Sequence, residues 1–191
     1  MTSQFAGAIS RRRMMFFGGT LFVVACLVPL SAQADLYDEY INSSSKSPFV
    51  AFLARDGFPG HAFVAVGVHL DSGLMVYERF FGYYPTSDSK LAEAKLVFSK
   101  TTGQLDYKWK DTAWQVNYRV AIPEDKKSAV MAVVDKWKSN DPKYNLFALG
   151  GKNCSAFAGE VAVAAGLKAV DGAGSMLPID YIKKLRQANG G

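Results

Sequence analysis

The hydrophobic period of this chain changes at Pro123, and that change limits the folds open to it more than any other feature. Before Pro123 the apolar residues come in strand-length runs. Phe49 to Ala54 is continuously apolar, as suits a strand buried on both faces. Arg55 to Gly60 is a turn cluster. His61 to Leu70 and Leu74 to Phe81 flank Asp71-Ser72-Gly73, which reads as a β-hairpin. Lys95 to Ser99 suits a short strand. Gln115 to Ile122 alternates Val116, Tyr118, Val120 and Ile122 with polar residues, the pattern of a half-buried strand.

After Pro123 the spacing is helical. Glu124-Asp125 favours a helix N-terminus, and Ala129, Val130, Val133, Val134 and Trp137 recur on one face. A loop through Asn140-Asp141-Pro142 and Gly150-Gly151 leads to a second helix near Cys154, with Asn153 as its capping candidate and Gly166 as its stop. Pro178 to Gln187 reads as a terminal helix. Strands first and helices after predict an α+β fold with an antiparallel sheet packed with helices.

The N-terminus reads as a leader. Arg11-Arg12-Arg13 precedes an apolar stretch from Met14 to Leu30, and Ala32-Gln33-Ala34 fits a cleavage site before Asp35. Gly18-Gly19 and Pro29 interrupt the apolar stretch, which argues against a permanent membrane span. The arginines partly match a twin-arginine signal, and Val23-Val24-Ala25-Cys26 a lipoprotein box. A periplasmic or secreted protein without an integral membrane segment is the expectation. Without residues 1–34, the 191-residue chain leaves 157, one domain over 35–191, beginning with a polar lead-in from Asp35 to Lys46. The leader holds three arginines and no acid, so the net charge falls from +5 to +2. So weak a charge gives no reason to expect a nucleic-acid partner.

Removing the leader also removes Cys26, leaving Cys154 as the only cysteine. A single exported thiol is an inert buried residue, an intermolecular link or a nucleophile. At a helix N-terminus, oriented backbone N–H groups and the helix dipole favour the thiolate, and a neighbouring imidazole lowers the pKa further. The same N–H groups can stabilise an oxyanion. The chain has two histidines, His61 and His69, about 26 Å apart on an extended strand. Only one can serve Cys154, and His61, at the start of its strand, is the better placed. Taken singly, Cys154 also fits a small core residue and His61 a rim residue.

Gly60-His61-Ala62-Phe63-Val64-Ala65-Val66-Gly67 and Tyr144-Asn145-Leu146 followed by Asn153-Cys154-Ser155-Ala156-Phe157 resemble the two signature segments of the circularly permuted NlpC-type papain-like hydrolases. The lecithin:retinol-acyltransferase-like proteins belong to that group. The histidine strand precedes the cysteine helix, as in the permuted arrangement, and the resemblance spans roughly Pro48 to Leu167. It implies a papain-like fold and a Cys154–His61 pair acting on amides, esters or thioesters, with Asn153 supporting the oxyanion site. It also implies a third group that orients the imidazole. In a hairpin centred on Ser72, Tyr83 comes opposite His61, whereas Glu78, the nearest acid on that strand, needs a bulge to reach the same face. Tyr83 is not the His, Asp, Glu or Asn that the resemblance implies at that place, and Glu78 reads more readily as a solvated strand carboxylate.

Other motifs point nowhere specific. Gly150-Gly151-Lys152-Asn153 lacks the first glycine and the Ser/Thr of a phosphate loop. Two separated histidines and one cysteine do not make a zinc site, and no cofactor is expected. Tyr83-Tyr84, Tyr107, Trp109 and Trp114 suit a substrate groove or an ordinary core. The expected function is an exported cysteine hydrolase cleaving an amide, with cell-wall peptidoglycan peptides as the first substrate class. A lipid or acyl-ester hydrolase or acyltransferase is one alternative. A catalytically silent envelope binding or inhibitor module is the other.

Overall fold

The computed structural model describes residues 30–57, 60–86, 101–106, 113–140 and 151–191. Helix α1 (Leu30–Asn42) leads into strands β1 (Lys46–Arg55), β2 (His61–Leu70), β3 (Met75–Pro85), β4 (Gly103–Asp106) and β5 (Val116–Ala121). Helices α2 (Glu124–Asn140), α3 (Cys154–Ala164) and α4 (Pro178–Ala188) follow, with a 3-10 turn at Ala173–Ser175. The strands form one antiparallel sheet in the order β4-β3-β2-β1-β5. The fold is α+β.

Alternation along β1 and β2 sorts the core into two layers. Val50, Phe52, Ala54, Ala62, Val64 and Val66 share one face with the buried residues of α2, α3 and α4, among them Val134, Phe157, Val161 and Ile182. Phe49, Ala51, Leu53, Phe63 and Ala65 point the other way, where Tyr77, Phe80 and Trp114 join them. Both faces of these strands are therefore buried, and that is why Phe49–Ala54 reads as an unbroken apolar run. Each Val, Leu or Phe among them contributes about 1.5–3 kcal/mol when fully buried.

Three elements differ from the reading of the sequence. The polar lead-in is helical: α1 runs through Asn42 and passes across Ala34–Asp35, the expected cleavage position. Tyr40 anchors it by packing against Val68, Leu70 and Val76. β3 extends to Pro85, because its last four residues pair with β4. The hairpin contains a bulge at Val66/Gly67: Gly67 pairs with Tyr77 but Val66 with Arg79, so Glu78 is the extra residue. The expected strand at Lys95–Ser99 lies outside the described residues. No helix among the described residues is long and apolar enough to cross a membrane.

Candidate active site

Cys154 is the first residue of α3, and Asn153 is its N-cap. The Asn153 backbone is extended (φ −138°, ψ −176°), and its side-chain oxygen accepts from the Ala156 N–H at 3.0 Å. Its Nδ2 donates to the Gly174 carbonyl at 2.6 Å, tying the cysteine loop to the 3-10 turn. Gly174 must be glycine for this approach, since a Cβ there would lie 2.5 Å from the Gly151 oxygen. At the far end, Gly166 takes a left-handed φ of +84° and Leu167 N–H reaches the Ala162 carbonyl, closing the helix. Cys154 is 2% exposed and belongs to the helix-side core.

Lys152 braces the same loop. Its ammonium lies 5.0 Å from the centre of the Trp137 ring and donates to Glu160 at 2.8 Å. Glu160 also accepts from Lys136 at 2.9 Å and from Trp137 Nε1 at 3.0 Å. Burial alone would raise the Glu160 carboxyl, but these hydrogen bonds outweigh it and pull the pKa down to about 2. Beside this network a cleft of about 710 Å³ runs between α2, α3 and the 3-10 turn, lined by Gly151, Lys152, Ala156 and Tyr181 among others. Burial pushes the Tyr181 hydroxyl up to about 12.

His61 is buried at the start of β2. Its ring stacks on Tyr84 at 4.1 Å and lies nearly parallel to Phe63 at 6.0 Å. Phe63 belongs to the sheet face turned away from α2, α3 and α4. The imidazole is thus on that face, opposite the layer that holds Cys154. The two still occupy the same end of the molecule. Trp137 touches both Phe157, one turn into α3, and Tyr83, which follows Gly82, the partner of Phe63.

The bulge decides where the two expected orienting residues fall. Near the turn the hairpin is centred on Ser72, as His69 facing Met75 shows, but beyond Gly67 the register moves by one residue. Continuing it brings Tyr84, not Tyr83, opposite His61. Tyr83 points into the helix-side core, edge-on to Trp137 at 4.8 Å. Glu78 sits at the bulge, roughly 20 Å along the strand from the His61 end. It accepts from the Tyr40 hydroxyl at 2.8 Å and pairs with Lys127 at 2.9 Å. Tyr83 is thus placed on the sheet face opposite His61, and Glu78 at a distance along the strand from it. His69 packs on Phe49 at the opposite end of β2, where burial and the nearby Arg119 charge lower its pKa.

Trp114 is a packing residue against Phe63, Tyr77 and Phe80, while Tyr107, Trp109 and Tyr144-Asn145 lie outside the described residues. Among the described residues no three His, Cys, Asp or Glu side chains cluster as metal ligands. The structure adds Tyr84, Lys152, Glu160 and Gly174 to the site. Of these, Lys152 stood in the glycine-rich motif and Tyr84 in the Tyr83-Tyr84 pair, where the register chose between the two members. Comparison with protein-family models, curated proteins and solved structures finds no match.

Proposed function

We propose that this protein is an exported cysteine hydrolase with Cys154 as its nucleophile, cleaving an amide in a cell-wall peptide. The observation that carries the reading is the position of Cys154: first in a side-chain-capped helix, at the end of the sheet where His61 begins β2. The helix start supports the thiolate and offers backbone donors to an oxyanion. In this mechanism the thiolate sulfur bonds to the carbonyl carbon, the amine leaves with a proton from the imidazolium, and water then cleaves the thioester. For His61 to take the thiol proton, its ring must leave the Tyr84 stack and turn round the end of β2. The substrate class rests on the expected leader and on the resemblance to the permuted hydrolases. Acyl esters are open to the same chemistry.

The binding-module reading has an observation of its own: Cys154 is closed off from solvent and His61 faces away from it. Incubation with peptidoglycan peptides separates the two. New amine termini are expected from the native chain and not from Cys154→Ala, whereas retention of the peptides without cleavage by both proteins supports the binding module.

A further inference from the structure

We propose that the outer edge of β5 is a docking site for an extended acidic peptide of a partner protein, which adds to the sheet as a further strand. Among the described residues β5 is the terminal strand of the five-stranded order, with β1 on one edge and no strand on the other. Ile122 N–H donates to the Pro48 carbonyl, so the even-numbered residues of β5 exchange hydrogen bonds with β1. By alternation, the backbone groups of Asn117 and Arg119 point outward. A groove of about 520 Å³ lies along this edge, lined by Gln115, Asn117, Tyr118 and Arg119 from the strand side and by Lys183 and Arg186 from α4. Among the described residues its charged side chains are all cationic, and Gly191 packs beside it against Arg186 and Tyr118. The Arg119 guanidinium turns inward over the Phe49 ring to the Tyr77 hydroxyl at 3.3 Å and Met75 Sδ, whereas Lys183 and Arg186 are exposed beside the outer edge.

This chemistry selects the occupant. Main-chain pairing asks for an extended segment, and the exposed Lys183 and Arg186 of α4 ask for carboxylates on the face turned to that helix. A second copy of this chain would set the same Lys183 and Arg186 against these, so edge-to-edge pairing of two β5 strands is opposed. The site shares no residue with the Cys154 region and stands whether or not the thiol is catalytic.

The test uses the full chain and a short blocked peptide with a central glutamate run flanked by valine and threonine, read by fluorescence anisotropy at low and at physiological salt. The expected result is saturable binding that the matching lysine peptide lacks and that weakens with salt. Lys183→Glu with Arg186→Glu should reduce it at least tenfold. Asn117→Pro, which removes an outward donor and no bond to β1, should weaken it with an unchanged circular dichroism spectrum. Equal binding of both peptides, indifference to the charge reversals, or self-association through β5 in place of peptide binding overturns the proposal.

Discussion

Glu160 takes hydrogen bonds from Lys136, Trp137 and Lys152, and so ties α3 both to α2 and to the loop that carries Cys154. Its pKa is held near 2, below the ordinary value of 4.5, so the contribution to stability is complete above about pH 4.5 and is lost as pH falls towards 2. The Lys136 and Lys152 side chains are 58% and 43% exposed, so solvent screening makes each ion pair weak. Glu160→Gln should therefore cost only about 1–2 kcal/mol at pH 7, mainly through the Trp137 bond and the braced loop. Urea unfolding at pH 7 and again near pH 2.5 checks this. The native chain and the variant should differ at the first pH and much less at the second, and a gap that is undiminished in acid would assign the effect to packing.

At the scale of elements, α3 owes its position to its first turn. Asn153→Ala removes the cap, worth about 1 kcal/mol, and leaves the Gly174 carbonyl without its donor, so a loss of about 2–3 kcal/mol is expected in urea unfolding. Asn153→Ser keeps a capping oxygen and should fall between the two. If Ser and Ala cost the same, the tie to Gly174 and not the cap dominates. The ends of α3 were legible in the sequence because capping is local: Asn153 and Gly166 act within one turn of themselves. The hairpin was legible for the same reason. Its register at His61 was not, because the bulge depends on contacts from elsewhere. A side chain at Gly67 would run into the Val76 carbonyl and the Phe49 ring, so β1 and β3 together set the irregularity. One residue of slip exchanged Tyr83 for Tyr84 beside His61. Helix α1 was hidden likewise, since its polar sequence acquires a buried side only where Tyr40 meets the hairpin and Glu78.

Across the whole molecule, the sheet is a partition. One side holds α2, α3 and α4 with Cys154 among them, and the other holds the aromatic layer into which His61 is stacked. Any pairing of the two groups has to be made round the end of β2. Gly82 marks how closely the ring is held on its own side, since a Cβ there would lie 2.5 Å from His61 Nε2. Activation of Cys154 by His61 requires that this partition be crossed in the working protein. The most direct test is the pH dependence of Cys154 alkylation by iodoacetamide in the Cys26→Ser chain, with and without His61→Ala. The expected midpoint lies well below the ordinary thiol value of about 8.5 and moves up by about one unit or more when the imidazole is removed. Ordinary thiol titration in both proteins would contradict it, and would make Cys154 a core residue of a binding module.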